Sequence, residues 1–399
     1  MPLSLTRRAF VKLPLLAGMS GVALRAEADE LDARPLDLAR VSFDERGATG
    51  VTSRGERLEL TLDATLSHAA ARLLDHARPL EGAVIALDPR DGRVLTWAER
   101  RSGGAPGSVL TTARSPAASV FKLVTTAALF ETGGVRPTDR VCISGGVRRI
   151  ERGHLDFPRG GEVSCAPFAE ALGYSRNAVY AQLATHHLLR DDLIATAERI
   201  GFNADVPFDW PVPVGRCELP YNDLAFARAA AGFQGSTLSP LGGAHLAGVI
   251  ARGGLAQRLR LVRRGPGSEA RPEPEIVGRA MAATTAWRLT RMMEVTVHSG
   301  TCRPSFTDEN GRALLPNVRV AGKTGTLRSD GENATTSWFI GFAPSRRPQI
   351  VVSVLLRNGP VWRRRAAEVA RDLLRCYFHE QGTPRIVNPL VGLNEQAPT

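Results

Sequence analysis

Lysine is scarce in this sequence. Of its 51 basic residues only Lys12, Lys122 and Lys323 are lysines, and all the others are arginine. Either residue type solvates a surface about equally well, but a desolvated lysine can lose its proton and act as a base, whereas arginine stays charged. Lys122 and Lys323 are therefore candidates for a role that needs lysine chemistry. The alternative is that codon bias favours arginine and that these two lysines remain by chance.

Motifs that bind metals, nucleotides or nucleic acids are also absent from the sequence. The five cysteines have no C-x-x-C or Cys/His metal spacing, and neither His186-His187 nor the other histidines form a ligand pattern. There is no glycine-rich phosphate loop. The formal net charge is +11, but the basic residues are scattered without interleaved aromatic residues, which indicates solvated surface. We therefore expect no metal, no cofactor and no nucleic-acid partner.

The N-terminal segment has no apolar run long enough to span a bilayer. Residues 13–24 are apolar but too few for a transmembrane helix, and they include Pro14. They follow the stretch T-R-R-A-F-V-K at 6–12 and precede A-E-A at 26–28, which is the order of a cleavable export signal. The basic stretch resembles the twin-arginine motif, so residues 1–28 predict export of a folded protein to the periplasm and no permanent membrane span. An ordinary secretory signal is the alternative.

An exported protein folds in an oxidising compartment, where cysteines can pair. Cys142 and Cys165 flank one loop-like stretch and are the pair that we prefer, although the sequence alone does not exclude other pairings. Because the number of cysteines is odd, at least one thiol is left over.

The remaining chain predicts one α+β domain over 61–380, preceded by a short irregular lead-in at 29–60 and followed by a mobile tail at 381–399. Strand-like runs flank the turn D-P-R-D-G at 88–92 and predict a β-hairpin. The other predicted elements are a helix at 62–74, a helix at 116–132, a mainly helical region at about 166–300, strands at 318–327, 337–342 and 349–357, and a helix at 361–380. Strands at both ends with helices between them predict an antiparallel β-sheet formed from the N- and C-terminal segments, with a mainly helical subdomain inserted between them.

Three short motifs carry candidate chemistry. In the first, Ser119 and Lys122 stand at the start of the helix predicted at 116–132. Residues three apart share one helix face, so an uncharged Lys122 can take the proton of the Ser119 hydroxyl. The free N–H groups of a helix start favour both a neutral lysine and a developing oxyanion. Taken alone, the pair is equally well explained by an N-capping serine followed by a chance lysine.

The second motif is Ser175-Arg176-Asn177, in which Ser175 is a candidate proton relay and Asn177 a candidate ligand for a peptide backbone. A capped loop is the structural alternative.

The third motif is K-T-G-T at 323–326, at the end of a predicted strand. The small residues Gly322 and Gly325 would let a substrate backbone lie along the strand edge. Lys323 and the hydroxyls of Thr324 and Thr326 suit a terminal carboxylate, and the N–H of Thr326 would complete an oxyanion hole with that of Ser119. Gly325 thus counts among the candidate substrate-binding residues with Lys323, Thr324 and Thr326.

Together the three motifs follow the order S-x-x-K, S-x-N and K-T-G. On these motifs the chain resembles the transpeptidase domain of penicillin-binding proteins over about 60–380. Supporting stretches are those at 82–89, 232–235 and 338–344. The resemblance implies a serine D,D-transpeptidase that forms an acyl-enzyme on Ser119 with D-Ala-D-Ala stem peptides of peptidoglycan and that β-lactams inhibit covalently.

The chain departs from larger members of that family. The lead-in at 29–60 is too short for a glycosyltransferase or pedestal domain, and a cleaved signal would replace the usual membrane anchor. These departures leave open a main or an accessory role in wall synthesis. A D,D-carboxypeptidase, a β-lactamase and a non-catalytic β-lactam or muropeptide sensor are the alternatives. For a β-lactamase, Glu218 and Asn222 have the E-x-x-x-N spacing of one deacylation motif, which we interpret as a chance match.

Overall fold

A computed structural model describes residues 36–380, except 46, 53–54, 104–107, 147–148, 159, 161–162, 213, 265–273 and 329–332. The predicted export signal and tail lie outside the described residues. The strands, in chain order, are β1 (Leu36–Asp44), β2 (Gly47–Thr52), β3 (Arg57–Leu60), β4 (Glu81–Leu87), β5 (Val94–Arg101), β6 (Ser115–Pro116), β7 (Arg140–Ile143), β8 (Ser164–Pro167), β9 (Gly215–Cys217), β10 (Ser236–Leu238), β11 (Leu255–Gln257), β12 (Val262–Arg264), β13 (Ile276–Arg279), β14 (Ala321–Arg328), β15 (Thr335–Ala343) and β16 (Ile350–Asn358).

The helices, in chain order, are α1 (Ala64–Ala77), α2 (Lys122–Glu131), α3 (Phe168–Gly173), α4 (Asn177–His187), α5 (Arg190–Arg199), α6 (Asp223–Ala230), α7 (Pro240–Ala251), α8 (Ala283–His298), α9 (Arg303–Phe306) and α10 (Ala366–Glu380). Two 3₁₀ turns cover Ala118–Val120 and Arg152–His154. Within the described ranges, none of the helices combines the length and the apolar character that a membrane span requires.

The core of the fold is a five-stranded antiparallel sheet in the order β14-β15-β16-β4-β5. The predicted hairpin thus joins the three late strands, and the α+β prediction is confirmed. Side chains of a strand alternate between the two faces of the sheet. Val84 and Ala86 accordingly pack in one apolar cluster with α1 and α10, whereas Ile85 packs in the other with α7 and α8. Helices cover both faces, and β14 is left as an edge strand beside the inserted helical region.

A smaller hairpin stands at the border of the helical region. Strands β7 and β8 pair antiparallel, and Cys142 lies opposite Cys165 in their register. The two residues form a disulfide, as predicted. Cys217, Cys302 and Cys376 are not in disulfides. Burial raises the pKa of the Cys217 and Cys302 thiols to about 12.

The lead-in and the first motif differ from expectation. Residues 29–60 were expected to be irregular, but β1, β2 and β3 form a sheet whose fourth strand is β12. The predicted helix at 116–132 is also divided, because Ala118 has a φ of 50° and is incompatible with a continuous α-helix. A 3₁₀ turn therefore precedes α2, and Ser119 lies in that turn.

Candidate active site

Ser119 lies in a 3₁₀ turn that is held in place by buried neighbours and by a hydrogen bond to the preceding residues. Val120 and Phe121 are wholly buried, and the indole Nε1 of Trp338 donates a hydrogen bond to the carbonyl of Pro116 at 2.9 Å. Ala118 is in the left-handed region, a conformation that costs a residue with a side chain about 1–3 kcal/mol. Strain of this kind persists only where the surroundings hold it. The turn presents the half-buried Ser119 to a cleft.

Gly232 is the residue that makes room for this turn. A Cβ atom at position 232 would lie 2.1 Å from the carbonyl oxygen of Ala118, and Gly232 has a φ of 85°. Both the close approach and the backbone conformation therefore require glycine. The preceding residue, Ala231, directs its carbonyl oxygen to the side chain of Lys122. The loop at 231–232 thus supports both members of the first motif.

The amine of Lys122 contacts three oxygen atoms. Its Nζ lies 2.9 Å from Ser119 Oγ, 2.8 Å from Asn177 Oδ1 and 2.7 Å from the carbonyl oxygen of Ala231. Burial, together with the nearby charge of Lys323, holds the pKa of Lys122 well below its usual range. A neutral amine has two hydrogens, which suit Asn177 and Ala231, and one lone pair, which is left for the Ser119 hydroxyl. The geometry thus suits proton transfer from Ser119 to Lys122.

Ser175 and Lys323 form a second pair across the cleft. The Lys323 Nζ donates to Ser175 Oγ at 3.2 Å and to the carbonyl of Thr324 at 2.9 Å. Burial lowers the pKa of Lys323 to about 7, so that both protonation states are populated near neutral pH. Ser175 has a φ of 53°, which turns the chain sharply between α3 and α4. Ser175 therefore faces the cleft while Lys323 lies buried behind it.

The loop that bears Ser175 is held against the end of α8. The amide of Thr301 donates to the carbonyl of Gly173 at 3.1 Å, and a Cβ atom at Gly173 would lie 2.4 Å from Val295 Cγ1. The hydroxyls of Thr301 and Thr324 are 2.9 Å apart. Thr301 thus joins the second motif to the third, although nothing in the local sequence marked it.

Two glycines of β14, Gly322 and Gly325, are required by close neighbours in the fold. A Cβ atom at Gly325 would meet the carbonyl oxygen of Ala117 at 3.3 Å, and one at Gly322 would meet Phe339 Cζ at 2.5 Å. They therefore make room for the Ser119 turn and for the sheet core. That they also let a substrate backbone lie along the strand edge stays a prediction. Thr324 and Thr326 do line the cleft, whose volume is about 390 Å³.

The chain matches the family model of the penicillin binding protein transpeptidase domain over residues 82–375. The protein belongs to this family. It is 27% identical over 352 residues to peptidoglycan D,D-transpeptidase PbpA of Mycobacterium tuberculosis, covering 78% of this chain and 69% of that protein. The fold is similar to the crystal structure of PBPA from M. tuberculosis, with a TM-score of 0.67 and 23% identity over 81% of this chain and 82% of that chain.

A further solved structure of penicillin-binding protein A from M. tuberculosis is a penicillin G acyl-enzyme complex. Its TM-score to this transpeptidase domain is 0.65, with 22% identity over 82% of this chain and 81% of that chain. The predicted resemblance to penicillin-binding proteins is thus confirmed.

The structure of this transpeptidase domain also places Asn177, the candidate ligand of a peptide backbone, and Glu218 with Asn222, the match to a deacylation motif. Asn177 begins α4 and contacts Lys122, a partner that the sequence did not indicate. Glu218, the candidate deacylation base, is exposed, and Asn222 caps α6 by accepting a hydrogen bond from the amide of Ala225 at 3.2 Å. Neither is among the residues that line the two clefts beside Ser175, as expected for a chance match.

Several further residues line the cleft that holds Ser119 and were not predicted from the sequence. These are Thr301, Ser305, Ser337, Trp362 and Arg365. They lie on separate elements between the end of α8 and the start of α10, and no motif connects them. Within the described residues, no group of three or more His, Cys, Asp or Glu side chains is arranged to hold a metal ion.

Proposed function

We propose that this protein is a peptidoglycan D,D-transpeptidase that works through an acyl-enzyme on Ser119. The observation that carries the proposal is the contact of 2.9 Å between Ser119 Oγ and the Nζ of a buried lysine whose pKa is lowered. A serine hydroxyl is a weak nucleophile, and an adjacent neutral amine is one of the few groups that can activate it. The relative PbpA is named for the same reaction, and a similar fold has been solved as a penicillin G acyl-enzyme.

Acylation begins when Ser119 Oγ attacks the carbonyl carbon of the penultimate D-Ala. The hydroxyl proton passes to Lys122 Nζ, and the C–N bond to the terminal D-Ala then breaks. The departing amine takes this proton from Lys122 through Ser175, which the Lys323 ammonium holds by a hydrogen bond of 3.2 Å, so Lys122 is neutral again in the acyl-enzyme. The terminal carboxylate binds the hydroxyls of Thr324 and Thr326, with the Lys323 charge behind them. Asn177 binds the peptide backbone, and the amides of Ser119 and Thr326 supply the oxyanion hole.

Deacylation completes the transfer. An amine of a second stem peptide attacks the ester carbonyl and gives a proton to the neutral Lys122. The ester bond to Ser119 Oγ then breaks, and Lys122 returns the proton to Oγ, which restores the Ser119 hydroxyl. If water takes the place of the amine, the same acyl-enzyme gives a D,D-carboxypeptidase. Both reactions share every residue named above, so the acceptor distinguishes them.

The test is incubation with a D-Ala-D-Ala stem peptide in the presence and absence of an amine acceptor, followed by mass analysis of the products. A transpeptidase gives the amide of the acceptor together with free D-Ala. Release of D-Ala without any transfer product identifies a carboxypeptidase. Ser119→Ala is the control and should yield neither product, because it lacks the nucleophile.

We place the protein outside the cytoplasm, since peptidoglycan stem peptides are found there, and we propose the twin-arginine route for its export. The support is the stretch T-R-R-A-F-V-K at 6–12 and the apolar run that follows it. Replacing Arg7 and Arg8 together by lysine keeps the charge but removes the arginine pair. Export should then stop, whereas normal export would show that an ordinary secretory signal is in use.

A further inference from the structure

A second groove adjoins the catalytic cleft on the side of Asn177. Its volume is about 620 Å³, and Ser175 lines both this groove and the cleft that holds Ser119. Among the residues that line it are Tyr174, Arg176 and Ser164. The two spaces therefore adjoin at Ser175, and Asn177 lines the groove directly beyond it.

The walls of this groove are built by the packing of two elements. One wall is the β7–β8 hairpin, which the disulfide closes, and the other is the start of α4. Gly146, at the end of the hairpin, has a φ of 70°, and a Cβ atom there would meet Ala178 Cβ at 2.5 Å. Only glycine lets the hairpin approach α4 this closely. This close packing sets the distance between the segment after β7 and the start of α4.

Arg176 gives the groove its charge. Its Nη1 donates to Ser164 Oγ at 3.2 Å, and its Cζ lies 6.0 Å from the centre of the half-exposed Tyr174 ring. Within the part of the chain that the structure describes, no carboxylate lies within ion-pair distance of Arg176. A guanidinium has five N–H donors, so most of them remain for a ligand. The start of α4 adds positive potential at the same place.

The direction of the substrate decides what occupies the groove. The terminal carboxylate of the donor binds at Thr324 and Thr326, in the cleft that Arg365 also lines. The acyl half of the donor lies on the other side of the attacked carbonyl, and Asn177, the proposed ligand of its peptide backbone, also lines the groove. The residue that precedes the two D-Ala residues therefore reaches the groove. This step rests on the proposed function.

We propose that the groove binds the side chain of this preceding donor residue and that Arg176 selects a side chain ending in a carboxylate. The Tyr174 ring provides an apolar surface for the methylene groups of that side chain. The guanidinium meets the carboxylate in a charge-assisted hydrogen bond. The occupant is therefore a donor stem peptide whose third residue carries an acid, and its neutral amide is a poor substrate.

The test compares two donors, N-acetyl-L-2-aminopimelyl-D-Ala-D-Ala and the amide of its side-chain carboxylate. The ratio of their kcat/KM values for release of D-Ala should be at least tenfold in favour of the acid, as expected for a hydrogen bond to a charged group. In Arg176→Gln the ratio should fall to within twofold of one. Arg176→Lys should restore part of it, because the charge remains while the forked geometry is lost.

Arg365→Gln is the matched control, because Arg365 lines the cleft of Ser119 but is not among the residues that line the groove. It should leave the ratio between acid and amide as it is in the unmodified protein. Equal rates for the two donors in the unmodified protein would overturn the inference and leave the proposed function intact. A preference that persists in Arg176→Gln would overturn it as well. If neither donor is cleaved and penicillin does not acylate Ser119, both proposals fail together.

Discussion

Lys122 and Asn177 are 55 residues apart in the chain, yet Lys122 Nζ lies 2.8 Å from Asn177 Oδ1. An amide oxygen only accepts hydrogen bonds, so it orients the amine with a hydrogen towards itself. The lone pair of a neutral Lys122 is then free to face Ser119. Asn177 thus positions the proposed base in addition to its proposed contact with substrate.

The first prediction concerns the two lysines of the site. Lys122→Arg places a permanent cation where a neutral amine is needed and cannot accept the serine proton, so acylation of Ser119 by penicillin should slow by a factor on the order of 10²–10⁴. Lys323→Arg should have a milder effect, because the proposed role of Lys323 is that of a cation. Stopped-flow or quenched mass measurements of the acylation rate test both. Small and equal losses at the two positions would contradict the assignment of roles.

The pH dependence follows from the same two residues. Acylation needs a neutral Lys122, so kcat/KM should fall on the acid side as this amine becomes protonated. Binding of the substrate carboxylate needs a charged Lys323, whose pKa is about 7, so KM should rise as the pH increases through that value. Lys323→Arg keeps its charge and should move the alkaline limb upward by more than one pH unit. An unchanged alkaline limb in this variant would refute the account of Lys323.

Gly232→Ala should damage the site although residue 232 carries no catalytic group. The new Cβ would stand 2.1 Å from the Ala118 carbonyl, which must then move together with the Ser119 turn. We expect acylation to slow at least tenfold, because small displacements of a nucleophile are costly. Gly153→Ala is the control, since a Cβ there meets nothing within 4 Å. Comparable rates for the two variants would mean that the Ser119 turn tolerates the displacement.

Removal of the disulfide should weaken the fold. Cys142 and Cys165 are 23 residues apart, and closing a loop of that size typically stabilises a protein by about 2–4 kcal/mol. Cys165→Ser should therefore lower the free energy of unfolding in a denaturant titration by that order. Cys376→Ser, which breaks no disulfide, should have a smaller effect. Alkylation of the unreduced, unfolded protein should label three thiols, and labelling of five would show that the disulfide does not form.

The motifs were predictable because each is contiguous in the sequence. S-x-x-K places Ser119 and Lys122 on adjacent turns wherever the segment lies, and the alternating strands predicted the central sheet for the same local reason. The contact between Gly232 and Ala118 could not be predicted, since it joins two separate segments whose approach depends on the whole fold. The contacts of Thr301 and Arg176 could not be predicted for the same reason.

The strands in the lead-in show a second limit to what the sequence predicts about the fold. In β3, Leu58 and Leu60 are buried and alternate with the exposed Arg57 and Glu59. That alternation is visible in the sequence, but four residues are too short to distinguish a strand from chance. Its partners β2 and β12 lie on either side, and β12 is about 200 residues further along the chain. Only tertiary pairing identifies the segment as part of a sheet.

The central claim is that Ser119 is an activated nucleophile, and intact-mass analysis after penicillin treatment tests it most directly. A β-lactam presents a strained amide beside a carboxylate, so Ser119 should open the ring and retain the drug as an ester. Because Glu218 is exposed and does not line the cleft, we expect the adduct to last for minutes or longer. The predicted result is one addition per chain, mapped to the peptide that contains Ser119 and absent in Ser119→Ala. Rapid release of opened drug would indicate a β-lactamase, and an unmodified mass with no drug consumed would contradict the nucleophile itself.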